Sequence, residues 1–578
     1  MSRGGERGHG AGRRHKMKVS EMKYERTDID KACEKMAAAA ERMAKAASGR
    51  EMAAIREEYI AEARHIQTMS SLCYIRFTLN TADEFYLAEK NYYDENMPRL
   101  SAASVALYRA FLNNPHVSEA LELINPNVAK VYELALRIMD DKIVPDAVEE
   151  AGLVTEYDKL MSEMTFRFKG RNMPLSVLRK YFDDADREVR RASMETAGRK
   201  FAKNAARLDG LWDSLVKVRT RMAKKMGFAS YAEMGDCQMG RYSYGRAEIK
   251  AFRESIKKDV VPVVAARRKE VAARLGLGDI RLYDNEICFS NGNPAPVTDA
   301  KGMFAAAKAM YHDMGEATGE FIDMMLAADA FDVFARKGKW GGGYCTSIDD
   351  YGQPFILANF NGSSGDVDVL THEAGHALAF YEMFRNKRDY ELNLGTMSVA
   401  EIHSMAMEFL AWPYMDAFFG DRADDYRYMH LLSSMTFLPY GTMVDEFQEA
   451  CYDAPDMTPA ERNALWLKLE GDYRPYMTTE GIPYFEKGTR WQYQMHIYEN
   501  PMYYIDYCLS QSVAHQFLAL SARDRKAAFD KYVALVSQAG ELPFGELVES
   551  VGLKDPLKAG VLAESTRAVN DLLDGMIG

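Results

Sequence analysis

No run of about 18 apolar residues occurs in the chain, so no segment reads as a membrane-spanning helix. An excess of positive charge is also missing. The 73 Lys and Arg against 85 Asp and Glu give a net charge of −12, which removes the basic field that nucleic acid requires. The seven cysteines, Cys33, Cys73, Cys237, Cys288, Cys345, Cys451 and Cys508, are scattered and form no C-x-x-C pair. That spacing suggests neither a disulfide framework nor a zinc ribbon, and it predicts reduced cysteines in a cytoplasmic protein. No internal repeat of fixed period is present, which argues against a solenoid. Met1 to Lys18 is rich in Gly, Arg and His and lacks the apolar centre of at least about 7 residues that a secretory signal needs. Residues 1–25 are expected to be a disordered extension.

Prolines are few, 18 in 578 residues, whereas Met, Ala, Leu, Glu and Lys are plentiful. This predicts a mainly α fold. Helical spacing runs through Lys31 to Ala47, Glu51 to Asn80, Asp83 to Tyr93, Ser101 to Leu112 and Pro126 to Ile138. These form an expected N-terminal helical lobe over 26–170. Gly170-Arg171-Asn172-Met173-Pro174 is the first strong break, and 171–578 is the expected catalytic region. Arg187, Arg190 and Arg191 read as a solvated basic face, and Pro262 as a kink. Only one region reads as sheet. Trp340 to Thr346 and Pro354 to Phe360 flank a turn at Asp349-Asp350-Tyr351-Gly352. Such a hairpin either holds a peptide along a strand edge or simply closes the core, and the pattern does not choose. Gly341-Gly342-Gly343 is too glycine-rich for a strand interior and suggests a flexible loop or close backbone approach to a ligand. The candidate substrate contacts are Gly342, Gly343, Tyr344, Ile356, Ala358 and Asn359.

His372-Glu373-Ala374-Gly375-His376 follows that hairpin in a helical segment. Histidines four apart lie on one helix face and can bind one metal ion, with Glu373 able to reach a water on it. Two histidines leave tetrahedral zinc short of a ligand. A metzincin would need Gly and His where Ala379 and Glu382 stand. The other solution is a glutamate on the next helix, and Glu401 is the candidate. Ser398-Val399-Ala400-Glu401 also reads as a capping box, in which Glu401 would only satisfy a backbone N–H. With the histidine pair upstream, ligand is the preferred role. Glu408, two turns on, suits orientation of a ligand imidazole. His403 reads as a surface or core histidine.

From Gly341 to Trp412 the chain resembles the thimet oligopeptidase and oligoendopeptidase F family of zinc peptidases, on the side of the bacterial Pz-peptidase-like oligoendopeptidases. The matching pieces are Gly342-Gly343-Tyr344-Cys345, Asn359-Phe360-Asn361-Gly362, Thr371 to His376, and Glu401-Ile402-His403-Ser404 with Glu408. Further on, Trp491 to His496 is followed by Pro501 to Tyr507, a histidine and tyrosine cluster that also marks the family. Many relatives have Phe where Ala374 and Met502 stand, a difference that bears on pocket shape rather than on chemistry. The resemblance implies a two-lobed, clam-like helical zincin with a small β-sheet beside the active-site helix and a deep central channel. It implies one Zn²⁺ on His372, His376 and Glu401, with Glu373 as base.

The expected activity is hydrolysis of internal bonds in short peptides, since a channel excludes folded proteins. A peptidyl-dipeptidase would need a carboxylate-binding group, which the sequence does not reveal, and a silent peptide-binding scaffold sits poorly with an intact motif. His496 and one of Tyr503, Tyr504 or Tyr507 are candidate oxyanion donors. Helical spacing does not choose among the tyrosines, and a stripe of this kind is commonly core. The family pattern points to Tyr504 with Tyr507, leaving Tyr503 as a substrate contact.

Overall fold

The structure, a computed structural model, describes residues 17–392 and 395–576, so most of the basic N-terminal segment lies outside the described residues. Within residues 17–25, expected to be disordered, a 3₁₀ turn forms at Val19–Glu21. Val19 and Met22 are buried, the Val19 N–H donates to Ala328 O, and Lys18 pairs with Asp329 at 2.6 Å. Two apolar side chains are enough to seat this short stretch on the main core.

Helix α1 (Ile29–Lys45) starts at Asp28, whose carboxylate accepts from the Lys31 N–H. Ser48 caps α2 (Gly49–Leu79) and Asp83 caps α3 (Glu84–Asn113) in the same way. The sequence divides α3 in two, but it runs unbroken through Pro98, because packing against α1 outweighs the one N–H that proline removes. Helix α2 joins two apolar cores. Its first half (Met52, Ile55, Tyr59) packs with α1 and α3, while Leu72 and Ile75 enter the larger core. The same helix is tied forward by buried Arg56, which pairs with Asp389 at 2.6 Å and Glu391 at 2.7 Å.

Helix α4 (Val144–Glu163) leads into a hairpin of β1 (Phe166–Phe168) and β2 (Arg171–Met173), antiparallel about Lys169-Gly170. The expected boundary at 170/171 therefore falls at a turn inside a paired element, and the sheet is not confined to one region. A further parallel pair joins Ile280–Arg281 to Met477–Thr478. Arg190 is not part of a solvated face: it is 3% exposed and pairs with buried Asp284, as does Arg187, while Arg191 stays outside. The interruption expected at Pro262 is a π-turn at Ile256–Val260. Pro262 itself sits in the first turn of the next helix, where no N–H is required.

The site is framed by a three-stranded sheet and four helices. Strands β3 (Phe331–Phe334), β4 (Tyr344–Ile348) and β5 (Gln353–Phe360) are ordered β3-β5-β4. Strand β5 is central, parallel to β3 and antiparallel to β4, with Cys345 opposite Ile356. Helix α5 (Gly365–Arg385) follows directly and packs on both β5 and α6 (Met397–Leu410). Helix α7 (Ala423–Asp453) and, beyond the short α8 (Met495–Glu499), helix α9 (Tyr504–Ser521) close the core around α6. Among the described residues no helix is long and apolar enough to cross a membrane.

Candidate metal centre and active site

Helix α5 brings His372 and His376 to one face, as four-residue spacing dictates. The third group comes from α6. The cap of α6 is Thr396, which accepts from the Val399 N–H, so Ser398 lies inside the helix and Glu401 caps nothing. Instead the Glu401 carboxylate faces the two imidazoles, with Oε2 at 3.3 Å from His372 Nε2 and 3.4 Å from His376 Nε2. These separations fit a metal. A tetrahedral ion with ligand bonds of about 2.1 Å sets its donors about 3.4 Å apart. Potential ligand atoms of His372, His376 and Glu401 all lie within 4.8 Å of one another.

Gly375 makes this approach possible. A Cβ there would stand 2.4 Å from His403 O, so only glycine lets α5 and α6 come close enough for Glu401 to reach the histidines. Glu401 is held from the other side as well. Ser404 donates to its Oε2 at 2.8 Å, and the Tyr503 hydroxyl donates to its Oε1. Burial would raise the Glu401 pKa, but the two imidazoles take it well below the usual carboxylate range.

Glu408 accepts from His372 Nδ1 at 2.7 Å, which turns Nε2 of that ring toward the cluster. Its second oxygen meets His430 Nε2 at 2.8 Å, and Trp412 Nε1 donates to His430 Nδ1 at 3.0 Å. Burial disfavours a charged His430, whereas Glu408 favours one strongly enough to raise its pKa. When the ring is neutral, the indole N–H at Nδ1 leaves the ring proton on Nε2, where it faces Glu408. Against the burial that would raise it, Glu408 is drawn down to about 2 by these two histidines. His430 and Trp412 were not legible as part of the site, because nothing in their spacing points to α5.

Glu373 is 8% exposed, and burial raises its carboxyl pKa against the pull of His372 and His376. Gly343 comes close to it, since a Cβ there would be 3.6 Å from Glu373 Oε1. Across the cavity, Tyr440 donates to Gln494 Oε1 at 2.8 Å, so the Gln494 amide N–H₂ faces His496 Nδ1 at 2.9 Å. Nδ1 accepts, and the proton sits on Nε2, 3.3 Å from the Tyr507 hydroxyl. Burial lowers the His496 pKa to about 4, so the ring is a neutral donor at neutral pH. Burial also raises the Tyr507 pKa well above that of an ordinary phenol.

Tyr503 and Tyr507 are positioned by Asp506 between them. Asp506 accepts from Ser398 of α6 at 2.6 Å and from Arg241 at 2.7 Å, locking α9 to α6. Tyr504 packs its ring 5.0 Å from that of His496.

These groups line a cavity of about 750 Å³ that contains His372, Glu373, His376, Glu401, His496 and the three tyrosines. Gly342, Gly343 and Tyr344 line it too, whereas Ile356 and Ala358 do not. Both are 1% exposed on the central strand, whose two edges are already paired. Asn359 braces the glycine loop, donating to Trp340 O at 2.9 Å and Gly342 O at 2.7 Å. His403 is a core residue, fully buried, with no partner on either ring nitrogen among the described residues.

A mainly helical fold closed around a His-His-Glu donor cluster, with the H-E-x-x-H helix as its floor, defines the class. Two family models match the sequence: the peptidase M3 N-terminal domain over residues 19–139 and peptidase family M3 over residues 296–566. The structure of Pz peptidase A, solved with an inhibitor, is 37% identical with a TM-score of 0.94, over 96% of this chain and 99% of that one. A protein described as a candidate oligoendopeptidase F from Bacillus anthracis str. Ames is 35% identical with a TM-score of 0.89, over 97% and 98%. Oligopeptidase PepF of Bacillus subtilis (strain 168) is 25% identical over 281 residues, which are 46% of this chain and 39% of that protein. The chain belongs to peptidase family M3.

Proposed function

We propose that this chain is a zinc endopeptidase acting on short peptides. The observation that carries the reading is the convergence of His372, His376 and Glu401 beside Glu373 inside a cavity, with Glu401 at tetrahedral spacing from both histidines. His372, His376 and Glu401 would hold one zinc ion, which when bound lowers the pKa of water toward about 7 and polarises a peptide carbonyl. Glu373 accepts the proton of the attacking water and passes it to the departing amine. Its burial favours this exchange, because a carboxylate with a raised pKa takes and returns a proton more readily near neutrality. His496 Nε2–H and the Tyr507 hydroxyl donate to the oxyanion that develops on the peptide carbonyl. Enclosure of the donors limits access to extended peptides. The seven free cysteines, five of them buried, suit a reducing, cytoplasmic setting.

The test is a Glu373→Gln variant, assayed with a quenched fluorescent peptide alongside zinc content. Gln keeps the size and a carbonyl but accepts no proton. Zinc should be retained while turnover falls at least about 100-fold, the lower bound for general-base catalysis. Near-normal turnover would end this mechanism. Absence of zinc from the purified wild type, with no activity on adding it, would end the metal assignment.

A further inference from the structure

The sequence reveals no group that could bind a substrate carboxylate, but the structure does. Arg179, at the start of a 3₁₀ turn (Arg179–Asp183), and Arg490, at the start of another (Arg490–Tyr493), both line the cavity that contains the donor cluster. Tyr493 holds them together. Its hydroxyl accepts from Arg179 Nε at 2.6 Å, and its ring centroid lies 5.0 Å from the Arg179 guanidinium carbon and 4.0 Å from that of Arg490. The stack orients two cations without neutralising either.

Neither guanidinium has a carboxylate within 4.0 Å among the described residues. Arg490 Nε and Nη1 are buried and have no hydrogen-bond partner among the described residues. Elsewhere in this fold several buried guanidinium groups meet acids, as Arg56 does Asp389, Arg219 Glu150 and Arg241 Asp506, while Arg268 and Arg388 donate to the main-chain carbonyls of Asp284 and Val536; among the described residues Arg490 has neither kind of partner. Glu499 lines the same cavity but offers no compensation, since burial beside Asp158 holds its carboxyl well above the ordinary range and favours the neutral acid. Leaving a buried guanidinium donor unpaired is costly, and a planar fork of donors matches a carboxylate in two-point contact.

We propose that Arg179 and Arg490 form a carboxylate-binding subsite of the peptide cavity. This rests on the peptidase reading above. The group it holds is the C-terminal carboxylate of a short peptide, because the two charges line the same cavity as His496 and Glu373 and every peptide brings one such terminus to it. An acidic side chain offers the same chemistry and is separated from the terminus by the test.

The experiment uses the full-length, zinc-loaded protein and one quenched fluorescent peptide in four forms. These are free acid, C-terminal amide, and each of the two with an internal Glu replaced by Gln. Wild type should favour the free acid over the amide by about 10-fold or more in kcat/KM, the size of one charge-assisted hydrogen bond. Arg490→Gln and Arg179→Gln should bring the two forms near parity, and Arg490→Lys should restore part of the preference. A preference that follows Glu over Gln and ignores amidation assigns the subsite to acidic side chains. Equal kcat/KM for all four forms in wild type, or a preference that survives both Gln variants, overturns it. Should Arg490→Gln not fold, Arg179→Gln and the wild-type comparison still decide. If wild type cleaves none of the peptides, it is the peptidase reading that fails. Fluorescence anisotropy of labelled acid and amide peptides on Glu373→Gln then judges the subsite alone, with equal affinities overturning it.

Discussion

Glu408 and His430 meet at 2.8 Å on the side of Glu408 away from His372, so the carboxylate that orients one imidazole is itself oriented by another. Trp412 fixes the far end of the chain through His430 Nδ1. This arrangement predicts that support for the metal reaches two residues beyond its ligands. Glu408→Ala should weaken zinc binding or activity about 10–100-fold, the usual scale for a lost orienting partner. His430→Ala should act in the same direction and less strongly, because Glu408 keeps its bond to His372. Competition for zinc against a chromophoric chelator measures both. Unchanged affinity in both variants would remove the chain from the site.

The tyrosines separate by what their hydroxyls touch. Tyr507→Phe and His496→Ala should each lower kcat by about 100–1000-fold with zinc retained, as loss of one oxyanion donor does. Tyr503→Phe should lower zinc affinity instead, since its hydroxyl bonds Glu401. Tyr504→Phe should leave both near wild type, because only its ring meets His496. Paired measurements of kcat and zinc content on the three Phe variants check the assignment.

Gly375→Ala tests the helix contact. The added methyl meets His403 O at 2.4 Å, so α5 and α6 must separate. Overpacking of this kind costs about 1–3 kcal/mol. The expected result is a lower Tm together with a larger loss of zinc than Ala374→Gly produces. Full zinc occupancy in Gly375→Ala would show that the close approach is not required.

Acid should destabilise the fold through its buried neutral histidines. Burial lowers His515 to about 3 and His496 to about 4, while His403 is also held well below its ordinary value. The unfolded chain, with histidines near about 6.5, then binds protons that the folded chain refuses. Stability is thus full above about pH 6.5 and is lost as pH falls toward 4, by about 1.4 kcal/mol per pH unit for each group. Urea midpoints at pH 7, 6 and 5 should decline, and His515→Gln should make the decline shallower. An equal slope in that variant would exclude His515 as a contributor.

The sequence by itself determined the helical class and the positions of His372, Glu373 and His376, because helix periodicity and i,i+4 spacing are local properties. Glu401 and Glu408 were legible for the same reason, as residues two turns apart on the following helix. The capping-box alternative for Glu401 was removed only when Thr396 proved to be the cap, a matter of where one backbone turn begins. The roles of His430, Trp412, Gln494 and Tyr440 left no local trace, although Trp412 and Gln494 lie in stretches that carry the family resemblance. Each acts across a contact between segments distant in sequence, and a hydrogen bond has no periodicity to read. Ile356 and Ala358 misled for a related reason: alternation shows that a segment is a strand but not whether its edges are already paired. Arg179 and Arg490, 311 positions apart in the numbering, carry no local signal, and only the tertiary structure sets them on one tyrosine with no carboxylate within 4.0 Å among the described residues.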